Sequence, residues 1–306
     1  MNTSPETAAQ SSIEAGSLTT PTILITGATG SVGNELTRLL SEQGISFRIM
    51  VRSPKDAEQL NKLAGVQVVM GDFNDKSTLA QALIGIERAF LLTNSSEQAE
   101  HQQLTFVAEA QRAGVRHIVK LSQFAAELNS PVRFLRYHAA VEQAIRESEM
   151  AFTFLRPNLF MQGLLGFQAS IAKDGKFFAA VGQAKISTID IRDIAAVAAT
   201  ALTEKGHEEK IYTLTGPEAL THYEMANELS AALTQRITFV DVSPEAMRAA
   251  LLEVGFPAWQ ADGLIEDYAH YSRNEASAVT SDIQEVTGKP ARNFADFAHD
   301  YASYFA

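Results

Sequence analysis

The sequence has no cysteine at all. Disulfides, thiolate nucleophiles and Cys-ligated zinc are therefore excluded, and a cytoplasmic setting is expected. Long apolar runs are also missing: no uninterrupted stretch approaches the roughly 18–20 residues of a membrane span, so no membrane partner is expected. Basic residues are in the minority, 25 Lys and Arg against 36 Asp and Glu, for a formal net charge of −11. That balance argues against a nucleic-acid surface. The seven His are scattered, with no His-x-x-x-His or His-Glu-x-x-His pair, so no metal site is expected. Residues 1–20, rich in Ser, Thr, Ala and Glu, lack the basic start and apolar centre of a signal peptide. They read as a disordered tail.

What is present begins with Ile23-Leu24-Ile25-Thr26-Gly27-Ala28-Thr29-Gly30-Ser31-Val32-Gly33. A short apolar run ends in three glycines spaced three apart, and a helical stretch from Asn34 follows. Strand, glycine turn and helix in this order form the context of a dinucleotide-binding loop. Gly27 permits the sharp turn, Gly30 lets a pyrophosphate approach the backbone, and Gly33 lets helix and strand pack closely. The free N–H groups of the new helix favour phosphate charge. Further strands are expected at Phe47–Arg52, Val66–Met70, Ala89–Thr93, His117–Leu121 and Ala151–Leu155, with a short one at Ile186–Thr188 and another at Ile211–Leu214. Amphipathic stretches lie between them. The alternation predicts an α/β fold with a doubly wound parallel sheet, whose strand-exit loops face one crevice.

A second absence sharpens the first motif. An NAD site places an acid at the end of the second strand, about 20 residues past the glycines, for the ribose hydroxyls. Here the strand ends Met50-Val51-Arg52-Ser53-Pro54-Lys55. Arg52, backed by a hydroxyl and a lysine, suits the 2′-phosphate of NADP, so NADPH is expected over NADH. The bland reading is a solvated basic turn. Asp72 and Phe73 follow the third strand. They would meet the adenine, or Asp72 would cap the helix starting near Lys76.

These residues resemble the NmrA-like branch of the atypical short-chain dehydrogenase/reductases. The resemblance rests on the glycine loop, Val51-Arg52, Gly71-Asp72 and His138 with Glu142. It continues through Leu155-Arg156-Pro157-Asn158 with Phe160-Met161, Asp190 to Ala195, and Glu285 to Pro290 followed by Phe294 to Phe297. It implies a Rossmann-type core at 21–160, continued around 186–214, and a smaller, mostly C-terminal α/β substrate lobe at 161–185 and 215–306. It implies cofactor contacts from Gly27, Thr29, Gly30, Ser31, Val32, Gly33, Arg52, Asp72 and Phe73. Thr93, Asn94, Ser122, Gln123, His138, Pro157, Asn158 and Leu159 would approach the ribose and nicotinamide. The family holds NAD(P)H-dependent reductases of quinones, azo dyes and triphenylmethane dyes, and also dinucleotide-binding regulators without turnover.

The wider superfamily works with a Ser and a Tyr-x-x-x-Lys helix. Setting Glu142 on the Glu that often follows that Lys puts His138 at the Lys position and Phe134 at the Tyr position, with Ser122 as the Ser. The usual acid is absent, and Tyr137 lies about 100° round the helix. Ketone reduction builds alkoxide charge and needs a proton donor. A conjugated acceptor spreads or cancels that charge. The pattern favours a quinone, an azo or triphenylmethane dye, or an activated imine as acceptor. It equally permits a redox sensor that binds NADP(H) and a protein partner. His138 and Ser122 are the catalytic candidates. His138 either bonds the nicotinamide ribose or the acceptor, or forms an i,i+4 structural pair with Glu142. Phe124, Phe160, Met161, Leu164, Phe167 and Trp259 are the candidate apolar pocket, against the bland reading that an aromatic stripe is core.

Overall fold

A computed structural model describes residues 21–305, so the expected N-terminal tail lies outside the described residues. The first half of the chain alternates strand and helix: β1 (Ile23–Ile25), α1 (Ser31–Glu42), β2 (Phe47–Val51), α2 (Pro54–Leu60), β3 (Val66–Met70), α3 (Lys76–Ala82), β4 (Arg88–Leu91), α4 (Ala99–Arg112), β5 (His117–Leu121), α5 (Arg133–Glu147) and β6 (Ala151–Pro157). After a 3-10 segment at Met161–Phe167 come α6 (Gln168–Asp174), β7 (Lys176–Ala179), α7 (Ile191–Thr203), β8 (Lys210–Leu214), α8 (His222–Leu233) and β9 (Thr238–Asp241). The chain closes with α9 (Pro244–Glu253), α10 (Ala258–Ser272), α11 (Asp282–Thr287) and α12 (Phe294–Asp300). No helix among the described residues is long and apolar enough to cross a membrane.

Seven strands form one sheet in the order β3-β2-β1-β4-β5-β6-β8, and every pairing is parallel. This is the Rossmann-type, doubly wound sheet expected from the alternation. The central strands are apolar on both faces because helices cover both. Ile23, Ile25, Val119 and Leu121 face α1 and α7, where Leu36, Leu40, Ile194 and Val197 meet them. Leu24, Ile118 and Phe154 face the opposite layer, against Leu79, Phe106, Val141 and Ile145. The strand order reverses between β1 and β4, which makes the crevice outside their carboxyl ends the switch point of the sheet. Thr26 pins the two strand ends together: its Oγ1 donates to Phe90 O at 2.9 Å and accepts from Leu92 N at 2.9 Å.

A second core lies around the parallel pair β7–β9. Phe177, Ile171, Met225, Leu229, Phe239, Phe294 and Phe297 fill it. From there α10 reaches back to α5. Gly263 lets the helices touch, since a Cβ there would lie 2.3 Å from the Phe134 ring. Arg133 locks the contact, donating to Glu266 Oε1 at 2.7 Å and to Trp259 O at 3.0 Å. In contrast, α9 has no buried residue.

Three expectations need correction. Ile186–Thr188 is not a strand. It is a buried crossing segment that makes single bridges, Ile186 to Leu220 and, just beyond, Ile189 to Phe160, and so never shares a ladder with one neighbour. Strand β7 was not anticipated, because Lys176-Phe177-Phe178-Ala179 is too short to show an alternating pattern. The basic stretch after β2 is not a plain turn: Pro54 opens α2, and Ser53 Oγ caps it by accepting from Asp56 N at 3.2 Å.

Candidate functional site

The glycine turn is built as its spacing requires. Gly27 has φ +67°, and a Cβ there would lie 2.8 Å from Leu92 Cγ. At Gly33 a Cβ would fall 2.1 Å from the Gly27 carbonyl oxygen, so only glycine lets α1 begin this close to β1. Gly30 is different. Its added Cβ would meet only Gly27 O, at 3.4 Å, and the residue is exposed, as are Thr29 and Ser31. Val32 is buried under the turn. No side chain caps α1, and its first turn holds no acid. The helix therefore offers bare N–H groups and positive dipole to the crevice.

Arg52 stands exposed at the carboxyl end of β2 and has no ion pair or hydrogen bond to other described residues. The hydroxyl expected to support it, Ser53, accepts from Asp56 N as the cap of α2, which leaves its O–H to donate. Asp72 does not cap the next helix. Asp75 does that, accepting from Ser77 N at 2.9 Å, while Asp72 Oδ1 accepts from Asn74 N and Nδ2. Phe73 is half-buried, with its ring 5.8 Å from that of Phe106. Thr93 Oγ1 accepts from Gln103 Nε2 at 2.8 Å, and Asn94 is exposed at the β4 exit.

The β5 and β6 exits carry buried polar side chains. Lys120, the penultimate residue of β5, is fully buried on the α5 side. Its Nζ lies 2.7 Å from His138 Nδ1 and donates to Leu121 O at 3.2 Å. Burial drives its pKa down from 10.5 to about 7. Burial, and then the charge of Lys120, hold His138 well below its usual value. The i,i+4 pair between His138 and Glu142 is not formed. Glu142, 1% exposed, instead accepts from Ser122 Oγ at 2.6 Å, Arg156 Nε at 2.9 Å, Arg156 Nη2 at 2.6 Å and Arg146 Nη2 at 3.4 Å. Ser122 thus donates its hydrogen bond to a structural carboxylate. The Tyr137 ring lies tilted against that of His138, 4.2 Å between centroids, and its hydroxyl bonds Ser95 Oγ at 3.0 Å, while burial raises its pKa.

Gln123 reaches across to α10 and donates from Nε2 to both oxygens of Asp267, at 3.1 and 2.9 Å. Burial lifts that carboxyl to about 7. Asn158 is spent on structure: Nδ2 donates to Ser187 Oγ and Ala276 O, each at 2.8 Å, and Oδ1 accepts from Leu159 N. Pro157 ends β6 beside these groups, its carbonyl accepting from Phe124 N at 2.8 Å. Among the candidate pocket residues, Met161 and Leu164 are buried members of the second core. Phe124, Leu159 and Phe167 pack on its edge, and Phe160 packs on the main core. Trp259 belongs to the α5–α10 contact, 5.4 Å from Phe134. It also lines a cavity of about 190 Å³ with Ser96, Tyr137 and Arg136 at the mouth of the crevice. A larger cavity, about 570 Å³, lies away from the exit loops between α8 and β9.

Sequence reasoning missed Lys120 and Asp267. The available signal for Lys120 was a lone charge inside the apolar strand His117-Ile118-Val119-Lys120-Leu121. Asp267 gives no comparable sign within its amphipathic helix.

A seven-stranded parallel sheet with a glycine turn at its switch point defines a Rossmann-type α/β protein. The NmrA-like family model matches residues 19–297, and the chain belongs to that family. It is similar to the NAD(P)H azoreductase of Xenophilus azovorans, with 38% identity over 283 residues, covering 92% of this chain and 99% of the relative. Among solved structures it resembles the NADPH-dependent quinone oxidoreductase of Escherichia coli in complex with NADPH, at TM-score 0.83 and 29% identity over 91% of this chain and 99% of that one. It also resembles the Citrobacter sp. triphenylmethane reductase, at TM-score 0.82 and 28% identity over 92% of this chain and 99% of that one.

Proposed function

We propose that this protein is an NADPH-dependent reductase that passes a hydride to a conjugated, fairly apolar acceptor of the quinone, azo-dye or triphenylmethane-dye class. The observation that carries the reading is the Gly27–Gly33 turn, which sets an uncapped helix start at the switch point of the sheet with Gly30 exposed. The named activities of the relatives support it.

The residues present fit the dinucleotide. The N–H groups at the start of α1 would hold the pyrophosphate, with Thr29, Ser31 and Val32 around it. Unpaired Arg52 would take the 2′-phosphate by charge-assisted bonds. Asp72 Oδ2, left free by Asn74, would accept from the adenine amino group beside Phe73. Thr93, Asn94, Gln123, His138 and the Pro157–Leu159 turn would border the ribose and nicotinamide. When bound, NADPH supplies the hydride.

The protein's own work is then positioning and the exclusion of water. The exit loops and the second core, at 161–185 and 215–305, would hold the acceptor flat against the crevice, with Phe124, Phe160 and Phe167 as half-buried apolar contacts. His138 retains a nitrogen, Nε2, without a protein partner among the described residues. Ser122 and Glu142 hold α5 against β5 and β6. A cytoplasmic setting and a small-molecule partner belong to the same proposal.

Steady-state NADPH oxidation with a panel of quinones, azo dyes and triphenylmethane dyes tests it. Turnover with at least one class, faster with NADPH than with NADH, is expected. Tight, selective NADPH binding without turnover on any acceptor would overturn the reductase reading in favour of a redox sensor.

A further inference from the structure

Lys120 is an anomaly. A lysine is almost never fully buried unless it is paired with an acid. Lys120 is completely buried, and no carboxylate lies within ion-pair distance of it among the described residues. The nearest carboxylate in the same layer, Glu142, is taken by Ser122, Arg156 and Arg146. A Leu or Met would fill the space on this face of β5, between Ile118 and α5, without the desolvation cost of a charge. Its strong contact is instead His138 Nδ1, at 2.7 Å.

We propose that Lys120 is a positioning residue for His138: it fixes the imidazole with its proton on Nε2 and resupplies that proton, through Nδ1, for acceptors whose reduction consumes one. The inference rests on the reductase reading above. As an ammonium, Nζ can only donate, so Nδ1 must accept and Nε2 must carry the hydrogen. Nε2 has no protein partner among the described residues, and Tyr137 holds the ring from one side at 4.2 Å.

The proton count separates the acceptor classes. A quinone or azo acceptor that has gained a hydride carries a negative oxygen or nitrogen. That atom takes the proton from His138 Nε2 while Nδ1 takes one from Lys120 Nζ; the pair resets when Nε2 takes a proton from water and Nδ1 returns its own to the neutral amine. A triphenylmethane dye is a cation, and the hydride alone makes it neutral, so no proton is required. The ammonium of Lys120 titrates near neutrality, at about 7. Burial lowers it first, the charge of Glu142 on α5 raises it, and that of Arg156 on β6 lowers it. The relay delivers a proton only while the amine is charged, so quinone turnover falls as pH rises through about 7, and dye turnover does not fall with it.

The experiment compares Lys120→Met and Lys120→Arg with the parent on one quinone and one cationic triphenylmethane dye, across pH. It is paired with ¹⁵N-histidine NMR of the resting protein, with His138→Gln assigning the resonance. Lys120→Met is expected to lose about a hundredfold in quinone kcat, to lose the decline near pH 7, and to keep its dye kcat. Below about pH 7, where the parent's Lys120 is charged, the variant's His138 is expected to show a mixture of tautomers where the parent shows Nε2–H alone. Lys120→Arg cannot surrender its proton. It keeps the tautomer and the dye rate but loses the quinone rate, and it carries the test if the methionine variant does not fold. Equal losses on both acceptors, or a parent-like quinone profile in either variant, would overturn the relay. An unchanged tautomer in Lys120→Met would overturn the positioning role. If the parent turns over no acceptor, the reductase reading falls by itself, and the NMR still decides whether Lys120 sets the tautomer.

Discussion

The two sides of the crevice are made of different material. On the β1–β2 side the chain presents backbone: a turn of Gly27, Gly30 and Gly33, an uncapped helix start, and one exposed cation, Arg52. On the β5–β6 side it presents buried side chains that satisfy one another: Lys120 with His138, Glu142 with Ser122 and Arg156, Gln123 with Asp267. The first arrangement is open and ready to receive charge from outside. The second is closed on itself, with most donors and acceptors already committed. A backbone cradle suits a ligand that never varies, whereas a pre-packed polar layer with few free atoms suits acceptors recognised by flatness and electron affinity.

Substitutions on either side of the crevice test this difference. The largest effect is expected on the closed side. Glu142→Ala leaves Arg156 and Arg146 without their shared carboxylate, and removing one partner of a buried pair costs about 3–5 kcal/mol. Arg156 keeps some contact with water, so chemical denaturation should show a loss near the lower end of that range. A loss under the scatter of the measurement would mean that the layer is not load-sharing. On the open side, Gly33→Ala forces a Cβ into the Gly27 carbonyl. A loss of about 3 kcal/mol is expected for such overpacking, together with failure to bind NADPH in a calorimetric titration. Unchanged binding would refute the close approach of α1 to β1.

A smaller effect follows from Arg52→Ala. Charged hydrogen bonds contribute about 1.5–3 kcal/mol, so the Kd for NADPH should rise about 10- to 100-fold while that for NADH stays put. Equal losses for the two cofactors would remove the 2′-phosphate role. A pH-dependent effect is expected at Asp267, whose carboxyl is raised from 3.8 to about 7 by burial. A raised acid binds more protons folded than unfolded, so its contribution to stability is full below about pH 3.8 and is lost as pH rises to about 7. Asp267→Asn should therefore match the parent near pH 4 and exceed it near pH 8, since the amide still accepts from Gln123 and carries no charge to desolvate. A gain of the same size at both pH values would show that the carboxyl is not the cause.

The same contrast explains what could be read from the residues. The glycine loop is local: three glycines, a strand and a helix within about one turn of chain specify their own geometry, and the parallel sheet follows from alternation. The partners on the closed side are far apart in sequence. His138 sits four residues before Glu142, and that spacing points to a mutual pair, yet β5 and β6 lie closer to each side chain and take both of them. Ser122 and Asn158 read as site residues because they follow strand ends, and the structure uses their polar atoms to tie neighbouring segments. Phe160 and Met161, adjacent in sequence, divide between two cores, because the chain crosses from one to the other at that point.

The proposed reductase activity requires direct hydride passage from NADPH to a flat acceptor held in this crevice. Its most direct test uses NADPH deuterated at both C4 positions and a cationic triphenylmethane dye, with the leuco dye analysed by mass spectrometry. The expected product carries deuterium on the central carbon, where the label cannot exchange with water. Leuco dye without the label, or no leuco dye from an enzyme that binds NADPH tightly, would contradict it.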